Sequence, residues 1–344
     1  MHKAQISGAY LFELAAITFL LLLSAAVVAE DKAVILAYHH IATDTPTSTS
    51  IAPDVFAQHL DYLDSNGFNV WPLVQILDAL ADNEPLPPRT VALTFDDAYE
   101  SVYTTAWPAL KLRNYPFTVF VATDPIDQHL SPYMSWSQLR ELAEAGVAMG
   151  NHGAAHIHPH NVTYAEFRDD IEQAQERLKS ETGVTPRVYA YPYGEFDDEL
   201  SQIVRTQDLF GVGQQSGVAG SRVNLGTVPR FPISPNYSSP DAFSLRVNAY
   251  PLDVTILEPE SRLVGAGDPN PQLVMESLDP DYPPSALNCF SNTGQALEKT
   301  VISDTRLAIV STGNLKRGRS KYTCTARVPG SNAYAWYSHL WIAR

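Results

Sequence analysis

The chain has 344 residues, 45% of them hydrophobic and 18% charged, which is enough apolar content for a sizeable core and excludes a disordered or fibrous class. Lys and Arg number 23 against 38 Asp and Glu, a formal net charge of −15. Such a balance argues against nucleic acid or an anionic membrane surface as the main partner, since both repel an acidic protein.

In chain order, Lys3 precedes an apolar run from Leu14 to Val28 that ends in Val27-Val28-Ala29. This is the pattern of an export signal over residues 1–29, with an uncleaved membrane anchor as the alternative. From Ala33 to Gln214, strand-like apolar runs alternate with amphipathic ones. Strands are expected at 34–38, 69–73, 90–95, 117–122, 147–150, 187–191 and 210–213. Helices are expected at 53–66, 74–81, 99–113, 137–145, 163–182 and 197–207. Strands this continuously apolar belong to a parallel sheet covered on both faces, so the expected architecture is α/β, a distorted (β/α)7-type barrel.

After Phe231 the composition changes. Residues 232–240 carry Pro, Asn and Ser and are expected to form a loop. Beyond it, 252–257, 306–312, 322–328 and 333–342 alternate like strands with one buried face, as in a β-sandwich. The chain's two cysteines, Cys289 and Cys324, both fall here. An exported chain meets an oxidising compartment, so a disulfide between them is expected. Tyr322, two residues before Cys324, resembles the tyrosine corner of immunoglobulin-like sandwiches. The basic residues Lys316, Arg317, Arg319 and Lys321 are expected in a solvated hairpin, and the aromatic strand from Tyr334 to Trp341 in the sandwich core. The expected domains are therefore 33–240 and 245–344.

Chemistry-bearing residues gather where the apolar runs stop. Tyr38-His39-His40 follows the first, Thr94-Phe95-Asp96-Asp97 the third, Asn151-His152-Gly153-Ala154-Ala155-His156 the fifth and Tyr191-Pro192-Tyr193-Gly194 the sixth. In a parallel barrel these ends open on one face, where such folds carry their active sites. Taken alone, an Asp-Asp pair is more often a helix cap, and a spaced His pair a surface feature. Together they suit a cation. His152 and His156 offer two imidazoles and Asp97 a carboxylate, leaving Asp96 to take a proton from water.

Three motifs, Thr94–Ala98, His152–His156 and Arg187–Gly194, resemble in order and spacing the TFDD, HSxxH and RxxxYPYG motifs of the polysaccharide deacetylases. These are the family 4 carbohydrate esterases with a NodB-homology domain. The resemblance covers residues 33–240. The opening Val34–Ile41 and the Ala190–Phe196 form are most similar to the branch acting on poly-β-1,6-N-acetylglucosamine. It implies an extracellular N-deacetylase with Asp96 as base and Asp97, His152 and His156 as ligands of a divalent metal, Zn²⁺ foremost, with Co²⁺ or Ni²⁺ as alternatives. It also implies a backbone oxyanion donor at Tyr193 and a sugar groove lined by Tyr191, Pro192 and Tyr193. The implied partners are the polysaccharide and its export system, with no nucleic acid and no membrane beyond the N-terminal segment.

Three departures stand out. Gly153 replaces the usual Ser or Thr, Ala190 replaces an arginine that orients the base in many members, and no late Leu-x-His supplies an acid near Pro229–Asn236. His39, His40, His158 and His160 remain for that role, with His39 preferred. The alternatives are another acetylated substrate (peptidoglycan, chitin oligomers or an O-acetylated polysaccharide) and a polysaccharide-binding matrix protein that lacks the acid.

Overall fold

The computed structural model describes residues 30–265 and 269–343; the expected export signal lies outside the described residues. No helix among the described residues is long and apolar enough to cross a membrane.

The fold is mixed α/β around a curled sheet. Its strands are β1 (Lys32–Tyr38), β2 (Asn69–Val70), β3 (Thr90–Phe95), β4 (Phe117–Val121), β5 (Ala148–Asn151), β6 (Val188–Ala190) and β7 (Phe210–Val212). From β1 the order runs β3, β4, β5, β6, β7, all parallel, with β2 beside the start of β3. All six residues of β3 are buried, which explains its unbroken apolar sequence. Residues 225–232 span the gap between the two sheet ends. Their backbone bonds Gly211 and Gly213 of the β7 region, and β8 (Phe231–Pro232) then pairs with Leu36 and Ala37 of β1. This short crossing segment curls the sheet toward closure as an incomplete barrel.

Helices cover the outside. The long helix Tyr164–Thr182 starts at a capping box between Thr163 and Glu166 and stops at Gly183, whose φ of +74° suits a residue without a side chain. The expected single helix at 99–113 is instead a π-helical turn, Val102–Ala106, followed by Trp107–Lys111. Pro108 has no N–H for the usual bond, and its ring crowds the carbonyl four residues back, so the helix widens before it. Just past the expected loop, where helical periodicity was expected to have ended, Pro240–Val247 is helical, capped by Ser239 with Pro240 at its first position.

The C-terminal segment forms two sheets. One holds β9 (Val254–Glu258), β10 (Leu273–Ser277), β12 (Leu297–Val301) and β13 (Arg306–Ser311). The other holds β11 (Asn288–Ser291), β14 (Gly318–Arg327) and β15 (Tyr334–Ala343). Leu273, Met275, Leu307 and Ile309 of the first share one apolar cluster with Tyr322, Cys324, Ala335 and Trp341 of the second. Cys289 and Cys324 are bonded, but they sit directly opposite each other on neighbouring strands of one sheet, Cα atoms 4.1 Å apart. The immunoglobulin bridge crosses between sheets. Here the polar tie between sheets is instead Tyr322, whose hydroxyl oxygen accepts the Ser311 N–H at 3.2 Å.

Candidate active site

The four polar strand ends do meet on one face. β3 delivers Asp96 and Asp97, and the chain then turns sharply, with Asp97 and Ala98 at φ +73° and +57°. His156 and Tyr193 also hold positive φ, +49° and +57°. Left-handed backbone costs a non-glycine residue about 1 kcal/mol or more, and its concentration here marks a site over-determined by its surroundings.

Asp97 Oδ1 lies 3.2 Å from His152 Nε2 and 3.1 Å from His156 Nε2. One ligand atom from each of the three residues falls within 4.8 Å of the others. Asp97 Oδ1 is buried without a hydrogen-bond partner. His152 donates its Nδ1–H to the Ala190 carbonyl at 2.7 Å, which fixes the tautomer and leaves Nε2 free to ligate. A carboxylate and two imidazoles converging with an orphaned buried oxygen are the donor set of a catalytic divalent cation, so these residues fit the metal expected from sequence.

Burial would lower the His152 pKa, but the Asp97 and Asp96 carboxylates outweigh it and raise it. Burial would likewise raise the Asp97 carboxyl, and the two imidazoles hold it well below the ordinary value. An imidazole must be neutral to ligate, so we expect Zn²⁺ affinity to fall as pH drops. Calorimetric titration across a pH series reads this directly, and an affinity that stays constant well into acid would exclude the imidazoles as ligands.

Asp96 is fully buried beside this cluster. Arg230, equally buried, grips it with both arms: Nη1 to Oδ1 at 2.7 Å and Nη2 to Oδ2 at 2.8 Å. Arg230 also donates to the Gly213 carbonyl and to Thr94 Oγ1. Burial pushes the Asp96 carboxyl up, but Arg230, aided by His39 and His152, outweighs it and holds the pKa below its ordinary value. The arginine absent at position 190 thus has a spatial substitute on the segment that crosses from β7 to β1. Arg230 was not found by sequence reasoning. Its only signal is a lone arginine before a short apolar run.

The other departures also have structural answers. At Gly153 φ is +76°, a region that favours glycine, and an added Cβ would lie 2.2 Å from Asp170 Oδ2 and push that carboxylate aside. The loop support is supplied by Asp170 of the long helix, whose Oδ1 accepts the Ala155 N–H at 2.9 Å. Of the four spare histidines, His39 faces Asp96, its Nε2 3.9 Å from Oδ2. His40 stacks on Tyr99, His158 stacks on Tyr193 and contacts Glu195, and His160 sits near Asp197.

The expected groove needs correction. Tyr191 is fully buried, its hydroxyl donating to the Gly226 carbonyl, and Pro192 is buried too. The turn points these two inward and leaves Tyr193, 37% exposed, as the one aromatic of the three that can meet a sugar.

Residues 83–210, a little over a third of the chain, match the family model described as polysaccharide deacetylase. The matched stretch holds Asp96, Asp97, His152, His156 and Tyr193. Among relatives, the chain is 26% identical over 253 residues to the poly-beta-1,6-N-acetyl-D-glucosamine N-deacetylase of Escherichia coli K12, covering 60% of this chain and 37% of that protein. Two solved structures share the fold. IcaB from Ammonifex degensii is 28% identical with a TM-score of 0.55, over 62% of this chain and 97% of that one. The Streptococcus pyogenes deacetylase PplD in complex with acetate is 25% identical with a TM-score of 0.59, over 63% and 98%. The chain thus spans little more than a third of the Escherichia coli protein.

Proposed function

We propose that the chain is an exported, metal-dependent N-deacetylase of an extracellular amino-sugar polymer, with poly-β-1,6-N-acetylglucosamine first among its substrates. One observation carries this reading: a carboxylate held ionised by a buried arginine, Asp96, lies beside the Asp97–His152–His156 ligand set. These three residues would hold the divalent ion, Zn²⁺ with Co²⁺ or Ni²⁺ as alternatives, which supplies Lewis acidity toward an acetyl carbonyl and toward water. Asp96 accepts the proton of the attacking water, and Arg230 keeps its oxygens oriented. The backbone N–H of Tyr193 supports the developing oxyanion, and its ring offers a face to the sugar. His39 gives a proton to the leaving nitrogen as the C–N bond breaks, releasing acetate and a free amine.

The same reading takes residues 1–29 as an export signal or membrane anchor, supported by the apolar run from Leu14 to Val28. Residues 33–240 are the deacetylase domain and 245–344 a β-sandwich. The polymer then lies outside the cytoplasm, and a polysaccharide export system is the fitting partner. The polymer choice rests on the activity in the Escherichia coli relative's name.

The test is acetate release by the mature chain from poly-β-1,6-N-acetylglucosamine, peptidoglycan and acetylxylan, with Zn²⁺ or a chelator. We expect metal-dependent release from the first. Release only from another substrate corrects the polymer. No release from any substrate by the metal-loaded chain overturns the enzymatic reading in favour of polysaccharide binding.

A further inference from the structure

The basic residues expected in a solvated hairpin divide in two. Lys316 and Arg317 are exposed, whereas Arg319 and Lys321 turn inward from the start of β14 toward the barrel. They stand two apart on an extended strand and so share a face. Both reach the same residue, Gln214, just after β7. Arg319 Nη1 donates to Gln214 Oε1 at 3.1 Å, and Lys321 Nζ donates to the Gln214 backbone carbonyl at 3.1 Å. Gln214 Nε2 in turn donates to Asp96 Oδ2 at 3.3 Å.

The direction of this chain follows from charge. A guanidinium has donors only, so it must face the carbonyl oxygen of the Gln214 amide. The NH₂ group is then committed to Asp96, which has acceptors only. The contact is also tight. A Cβ at Gly194, in the turn beside Tyr193, would lie 3.1 Å from Arg319 Nη1. Burial, with Arg319 adding to it, pushes the Lys321 ammonium down to about 8. Two neighbouring cations drawn out of water onto one glutamine are a poor means of merely joining two domains, since burying like charges together is unfavourable.

We propose that Arg319 and Lys321 are positioning residues for hydrolysis: from the C-terminal sheet they hold Gln214 so that its amide fixes the second oxygen of Asp96. The inference rests on Asp96 serving as the base. Asp96 Oδ2 is also the oxygen that faces His39, so its orientation bears on both proton-transfer groups. Under this reading the C-terminal sheet is a working wall of the active site.

The experiment uses the full mature, metal-loaded chain and the variants Gln214→Leu, Arg319→Met, Arg319→Lys, Lys321→Met and Gln214→Leu/Arg319→Met. Loss of a residue that orients a reacting group typically costs 10- to 100-fold. We expect Gln214→Leu and Arg319→Met to lower kcat by about that factor with KM and bound metal unchanged. Lys321→Met should act in the same direction and Arg319→Lys should restore part of the rate. The double variant should be no slower than Gln214→Leu, because both changes cut one chain. Losses that multiply, or an Arg319→Met protein with lowered Tm and unchanged kcat, would overturn the inference.

A readout independent of turnover is the Gln214 side-chain amide signal in ¹⁵N NMR. It should move toward the position of a free amide in both Arg319→Met and Asp96→Asn. An unmoved signal in Arg319→Met sinks the proposal even if the wild-type chain proves to have no deacetylase activity, a result that would by itself overturn only the function.

Discussion

Asp96→Asn should lower deacetylation by about 10²- to 10⁴-fold, the usual worth of a general base, while the protein still binds its metal. The two halves of this expectation have separate causes. Asparagine keeps the shape of aspartate but cannot take a proton from water at neutral pH. The proposed ligand atoms belong to Asp97, His152 and His156, which the substitution leaves in place. The pairing with Arg230 weakens as well, because the guanidinium then faces an amide with one acceptor where it had two. Turnover and metal content measured on the same preparation decide the matter. Wild-type turnover would mean that the proton goes elsewhere, and loss of metal would mean that Asp96 supports the ligand set.

The second large effect concerns stability. Arg230→Met should destabilise the protein by about 3–5 kcal/mol, because it leaves Asp96 as a buried charge without its arginine partner. At roughly 2–4 °C per kcal/mol for domains of this size, Tm should fall by about 10 °C. Asp96 would escape by taking up a proton, so activity should fall with stability. The sign with pH follows. The folded pKa of Asp96 is depressed, so the pair's contribution is present above the unfolded value and is lost as pH falls through the folded one. The stability gap between wild type and Arg230→Met should accordingly shrink in acid. Asp96→Asn/Arg230→Met should recover much of the lost stability, since removing both charges leaves nothing to compensate. A double variant as unstable as Arg230→Met would show that the arginine acts through packing alone, against Phe120 or the barrel-closing segment.

What could be read in the sequence divides along physical lines. Thr90–Phe95 was legible to its last residue because a strand buried on both faces writes an unbroken apolar run, and the acidic pair after it marks where burial stops being cheap. The clustering of Asp97 with His152 and His156 was legible because the two histidines are close in sequence and Asp97 follows another strand of the same sheet. Arg230 and Gln214 were not, because they meet Asp96 from 134 and 118 positions away and carry no local pattern. Arg319 looked solvated because a cluster of basic residues normally is, and only the packing of two sheets shows which members turn inward. Tyr191 and Tyr193 show the limit at finer scale. Left-handed backbone at Tyr193 and Gly194 in a three-residue turn decides which tyrosine faces solvent, and the tyrosine type does not report it. The strand Leu273–Ser277 escaped notice for a different reason, being short and flanked by proline and aspartate.

The segment of residues 225–232 carries a consequence for the order of events as the chain is made. Everything from β1 to β7 can be present, ligands included, before Arg230 arrives. Until then Asp96 lacks its strongest counter-charge, and only the neighbouring His39 and His152 offset its burial. Docking of the last crossing strand therefore does two things at once: it seals the sheet edge against stray pairing and brings the guanidinium that pairs with the carboxylate at its centre. Under the proposed roles, a chain ending short of that strand would keep the Asp97–His152–His156 cluster but lack the arginine that pairs with Asp96.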